Sequence, residues 1–176
     1  MHNVHALPQL NPDPVVPLGD DYQPLQLVTP QLLDRFWPQA SQLFERCVSK
    51  ALNGEYTTDN ILEMARVGKA VIIVVTNDTT GEHPDTDVSL ALAIEPVLYP
   101  QLNAINILAL GGRNLVASKN KHWDSFVGWA YMNGARMIEA NVSPSMMRMI
   151  KRWGFEPVYT QARFSLEKPN VYPVQR

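Results

Sequence analysis

Apolar residues recur at helical spacing from Leu33 onward, where Leu33, Phe36, Trp37, Ala40, Leu43, Phe44, Cys47, Val48 and Ala51 fall on one stripe. Thr29-Pro30 supplies a capping hydroxyl followed by proline at the first helical position. Pro38 is expected to kink this helix or restart it, because proline removes a donor and crowds the preceding turn. Asn53-Gly54 should end it, and Thr57 and Thr58 should open a second helix carrying Ile61, Leu62, Met64 and Ala65. The pattern then changes. Residues 70–76 (AVIIVVT) are a β-branched run, which predicts a central strand buried on both faces. A polar turn at 77–86 (NDTTGEHPDT) precedes two more strands, at 88–97 and 105–110. Gly111, Gly112 and a polar loop should lead to a helix whose core stripe is Trp123, Phe126, Val127 and Ala130, ended by Asn133-Gly134. Residues 137–142 read as a strand. Ser143-Pro144 starts a short helix with Met146, Met147, Ile150 and Trp153, stopped at Gly154. Residues 155–160 and 163–166 are expected to close the domain as a hairpin.

Strands alternate with helices only in the second half, so the fold class is α/β of the α+β kind, with a mixed sheet flanked by helices. The organisation expected is an extended arm over 1–28, one domain over 29–168 and a tail over 169–176. Of the 14 prolines, Pro8, Pro12, Pro14, Pro17, Pro24 and Pro30 lie near the start, which argues for an arm without regular structure. Leu7, Leu10, Val15, Val16, Leu18, Leu25 and Leu27 make this arm stickier than a plain linker. It should wrap its own domain or lie on a partner.

Composition narrows the classes further. A 176-residue chain that is 45% hydrophobic and 18% charged has the make-up of a globular domain. A net charge of -2, with neither sign dominating either half, points to no nucleic-acid site. The single cysteine, Cys47, sits in a helical pattern and reads as a small buried apolar residue. No stretch approaches the ~18 apolar residues of a membrane span, and residues 1–6 lack the basic and apolar regions of a signal peptide.

The segment 129–155, WAYMNGARMIEANVSPSMMRMIKRWGF, contains a helix ending in a GA turn, a strand, a short helix and then GF. This order resembles the second half of a GNAT (N-acetyltransferase-like) domain. The stretch from VTPQLLDRFWPQASQLFERC to VGKAVIIVV, followed by INILALGG and RWGF, is similar to small GNAT-like bacteriophage proteins encoded near head and portal genes. Some of that family are similar to internal virion proteins of short-tailed phages. The resemblance covers roughly residues 27–168.

The resemblance implies two pieces of chemistry for an acetyltransferase. The first is a turn, Arg/Gln-x-x-Gly-x-Gly/Ala, whose amides and helix N-terminus cradle the pyrophosphate of coenzyme A. Here the corresponding region runs from Gly111 to His122 and is expected to be a longer loop with no glycine at the mouth of the helix. Gly111, Gly112, Arg113, Lys119 and Lys121 are its only candidates for phosphate contact. The second is a tyrosine acid four residues before the GF glycine, a position held here by Ile150, which can donate no proton. Ser143 stands where an asparagine is common. Glu95 and Glu139, on predicted strands, are the candidate general bases. His2, His5, His83 and His122 share no ligand-like spacing, so no metal is assigned.

Two functions follow from these departures. The first is a virion protein with a catalytically degenerate GNAT-like fold, assembled in the host bacterial cytoplasm. It would bind other virion proteins, such as portal or neck components, in several copies through its arm, and would hold no cofactor. The second is an acetyl-CoA-dependent N-acyltransferase with a rebuilt coenzyme loop.

Overall fold

The computed structural model describes residues 25–51, 56–76, 88–113, 115–160 and 162. Most of the proline-rich arm, the helix stop at Asn53-Gly54, the 77–86 turn, the 163–166 strand and the tail therefore lie outside the described residues. The chain forms two compact units, Met1–Ser143 and Pro144–Arg176.

The first unit is a five-stranded sheet in the order β1 (Gln26–Val28), β2 (Val71–Thr76), β3 (Val88–Leu98), β4 (Asn103–Gly112) and β5 (Met137–Ala140). Neighbours are antiparallel except β4 and β5, which run parallel, so the sheet is mixed as expected. Residues 26–28, expected to lack regular structure, instead form an edge strand paired with β2. The prolines that argued against order, Pro24 and Pro30, stand outside the three residues whose amides are needed.

Two cores cover the two faces. On one, α1 (Pro30–Ala51) and α2 (Thr58–Arg66) bury Phe36, Phe44 and Ile61 against Ile72, Val74 and Ala91. Cys47, expected to be buried, is half-buried and packs at the margin of this core. Helix α1 runs through Pro38 without restarting. Pro38 is exposed while Phe36 and Ala40 beside it are buried, so the stripe is anchored on both sides of the lost hydrogen bond. Burial offsets the roughly 3 kcal/mol that an interior proline costs. At α2, Thr57 Oγ1 accepts the Asn60 amide at 3.2 Å while Asn60 Oδ1 accepts the Thr57 amide at 2.9 Å. This reciprocal cap fixes the helix start where the threonine pair placed it.

On the other face lies α3 (Leu115–Met132), which is longer than expected. It begins three residues after β4 ends, so the stretch expected as a polar loop is helical from Leu115 onward. Its buried stripe is His122, Phe126, Trp129 and Ala130, with Trp123 half-buried. Val127, expected in the core, is 38% exposed, whereas Trp129 is 4% exposed. The helical period allows either stripe, and packing on the sheet selects 122, 126, 129 and 130 over 123, 126, 127 and 130. Gly134, at φ 85°, ends the helix region in the left-handed conformation open to glycine.

His122 is 5% exposed, and burial first, then the neighbouring Lys121 charge, lowers its pKa. The folded chain thus holds it neutral, while the unfolded chain protonates it near pH 6.5. Its contribution to stability is present above that pH and is lost as pH falls toward the lower folded value. Melting temperatures measured between about pH 5 and 8 should fall on the acid side, and less steeply in His122→Gln. Equal acid slopes for the two proteins would remove His122 as the cause.

In the second unit, α4 (Pro144–Ile150) passes into a 3-10 turn at Lys151–Trp153, capped by Gly154 at φ 93°. Ile150 is buried, and Met146, Met147 and Met149 are half-buried. Residues 155–160 form no strand, contrary to the expected hairpin. Glu156 to Thr160 are exposed, and Val158 and Tyr159 gain no apolar surface to pack on.

Candidate functional site

Each of the three strands β3, β4 and β5 carries one polar residue at the same level. Glu95 pairs with Asn106 across β3 and β4, and Asn106 pairs with Glu139 across β4 and β5. Residues in register on neighbouring strands project to the same face, so the three side chains form one line. Ala93, two residues before Glu95, lies in the core under α1, which assigns the line to that face. Asn106 Nδ2 donates to Glu95 Oε1 at 2.7 Å. Tyr99, in the β3–β4 turn, donates its hydroxyl to both oxygens of Glu139, at 3.0 and 3.1 Å. The two carboxylates thus sit two strand spacings apart, on the order of 10 Å, each held by a separate donor.

The two glutamates expected on strands are brought together here. Asn106 and Tyr99 were not anticipated. The signal for Asn106 was visible as a lone amide inside the apolar run AINIL; Tyr99 joins only through the turn.

Beyond this line, β4 keeps β3 but loses its β5 partner. The β3–β4 register shifts between Ala93 and Ile94, leaving Leu108 as an extra residue on β4. Pairing with β5 stops at Ile107, so among the described residues Leu108 to Gly112 have no strand on that side. Gly112 ends this edge three residues before Leu115 opens α3, whose first amides lack intrahelical partners.

The candidates for phosphate contact separate at this junction. Gly111 and Gly112 are the last residues of β4 and α3 begins at Leu115, which corrects the expectation of a long loop here. Their missing side chains, however, serve packing. A Cβ on Gly111 would collide with the Leu43 carbonyl and lie 2.9 Å from Leu43 Cβ on α1. A Cβ on Gly112 would lie 2.8 Å from Leu90 Cδ1 and 3.1 Å from Leu115 Cδ2. Arg113 directs its backbone amide to Ser89 O at 2.9 Å and exposes its side chain. Lys121 is exposed well inside α3, past the turn that carries the free amides. Lys119 is half-buried in the same helix. What fits a coenzyme is therefore the free β4 edge, the first turn of α3 and the Arg113 side chain, with the glycines shaping the junction from behind. Among the described residues no group of histidine, cysteine or carboxylate side chains could hold a metal, and no helix is long and apolar enough to cross a membrane.

Gly111→Ala should destabilise the fold by about 1–3 kcal/mol, since the obstacle is helix backbone that cannot rotate away. Chemical denaturation measures it, and an unchanged midpoint would show that α1 shifts at no cost.

This architecture recurs in solved acetyltransferases. A probable acetyltransferase matches with a TM-score of 0.59 over 81% of this chain and 96% of its own, at 11% identity. The ribosomal-protein-alanine N-acetyltransferase of Brucella melitensis matches with a TM-score of 0.56 over 81% and 99%, at 9% identity. An aminoglycoside N-acetyltransferase solved with CoA matches with a TM-score of 0.55 over 88% and 100%, at 12% identity. The fold is that of the GNAT acetyltransferases. No family model and no curated protein matches the sequence. At these identities the GNAT likeness establishes the fold, and the chemistry has to be argued from the site.

Proposed function

We propose that this GNAT-fold chain is an acyl-CoA-dependent N-acyltransferase with acetyl-CoA as donor. The observation that carries the reading is the free β4 edge from Leu108 to Gly112, which begins two residues beyond Asn106 of the Glu95–Asn106–Glu139 line and runs toward α3. An unpaired strand edge offers alternating amide donors and acceptors to an extended ligand that itself contains amides. The first turn of α3 and Arg113 suit the phosphates at its far end. Acetyl-CoA, when bound, supplies an acetyl group activated as a thioester. Glu95 accepts a proton from the acceptor amine, so that the nitrogen presents its lone pair. Asn106 holds that carboxylate in one orientation, and Glu139, held by Tyr99, adds negative charge that attracts a cationic acceptor. Ile150 supplies no acid, so the departing thiol takes its proton from Tyr99 or from water.

Calorimetric titration with acetyl-CoA tests this reading. A dissociation constant in the micromolar range is expected, with thiol release when an acceptor amine is added. Absence of binding would return the chain to the other reading, a virion protein without cofactor. That reading stands on sequence resemblance alone, and none of the three similar structures above is described as a particle component.

A further inference from the structure

The Glu95–Asn106–Glu139 line carries more negative charge than proton removal from one amine requires. A single carboxylate suffices as a base. Here two half-buried carboxylates share a face, and among the described residues neither has a cationic partner. The groups that hold them are neutral donors, the Asn106 amide at Glu95 and the Tyr99 hydroxyl at Glu139. These bonds fix where the two charges stand without cancelling either. Tyr99 follows β3 in the chain and bonds to Glu139 on β5, so its side chain crosses β4 on the same face. The residue is 45% exposed, and the face of an aromatic ring adds its own attraction for cations.

We infer, on the acyltransferase reading, that the acceptor is a short dicationic amine, with one nitrogen at Glu95 and a second, unreactive ammonium at Glu139. The carboxylates are two strand spacings apart, on the order of 10 Å, and an ammonium sits about 3 Å from the oxygen it meets. The two nitrogens are then roughly 5–10 Å apart, the span of a chain of about three to seven carbons. One nitrogen gives a proton to Glu95 and bonds to the acetyl carbon as the carbon–sulfur bond breaks. Its second proton replaces the one that the departing thiol takes up. The other nitrogen keeps its charge against Glu139. A monoamine of the same length reaches Glu95 and leaves Glu139 without a cation.

Matched series of straight-chain diamines and monoamines test this on the full chain, by thiol release with acetyl-CoA and by calorimetry without it. A diamine in the stated length range should show a kcat/KM about ten- to a hundredfold above that of its matched monoamine. The advantage should fall for shorter and for longer chains. Without coenzyme the same diamine should bind about tenfold more tightly than the monoamine, by a margin that shrinks with added salt. Glu139→Gln keeps an oxygen to accept the Tyr99 bond and should bring the diamine-to-monoamine ratio close to unity. Glu139→Asp keeps the charge and should retain the preference. The length series on the unmodified chain decides the matter even where a variant fails to fold. Thiol release that treats both series alike overturns the inference and leaves the acyltransferase reading standing, as does a preference that survives Glu139→Gln. Acetyl-CoA binding with no thiol release to any amine of either series also overturns the inference. Failure to bind acetyl-CoA at all overturns the acyltransferase reading and the inference with it.

Discussion

Replacing Phe126 by alanine should lower the stability of the fold by about 3–5 kcal/mol. The ring is 2% exposed and lies between two other aromatics on α3. It stacks on Trp129 at 6.0 Å between centroids and tilts against Trp123 at 5.7 Å. Below it are Ile73, Leu92, Ile94 and Ile105 from three strands, so the space left by the ring is bounded on every side by groups already committed to contacts. Such a site relaxes little, which puts the cost at the cavity-forming end of the range. For a chain of this size each kcal/mol moves the melting temperature by roughly 2–4 °C. Val127→Ala is the control. That side chain is on the outer face, and its loss should change the melt little. A small shift for Phe126→Ala with a large one for Val127→Ala would mean that α3 docks by the opposite face.

On the acyltransferase reading, Glu95→Gln should reduce turnover about 10²- to 10⁴-fold, the usual worth of a positioned general base. Glutamine keeps an oxygen to accept the Asn106 bond, so the geometry of the line survives while the proton acceptor is lost. Affinity for acetyl-CoA should stay unchanged, because the β4 edge and the α3 turn are untouched. Thiol release under saturating acceptor and calorimetry on the same preparation separate the two quantities. Full turnover in Glu95→Gln would remove Glu95 from the chemistry. Equal loss in Glu139→Gln alone would shift the base to the other end of the line.

Hydrophobic periodicity and the turn and cap residues by themselves determine most of the fold. The β-branched run at 70–76 could only be a strand buried on both faces, and the Leu33 to Val48 stripe could only be a helix laid on a sheet. Thr57 and Gly154 mark ends that depend on local hydrogen bonds and local φ, and both stand where the sequence put them. The departures share a cause. Whether residues 115–121 were loop or helix, whether Val127 or Trp129 faced inward, and whether 26–28 paired were decided by neighbours distant in the chain. Propensity is a weak prior wherever such contacts are available. The site divides in the same way. Glu95 and Glu139 were legible as carboxylates in apolar strands, yet nothing in their spacing told that register would align them through Asn106. Gly111 shows the limit most clearly. Its two hydrogens looked like room for a phosphate, and only the approach of Leu43 from α1 showed that the room was already filled. Sequence determines what each residue can do; the packing of distant segments decides which of those capacities is used.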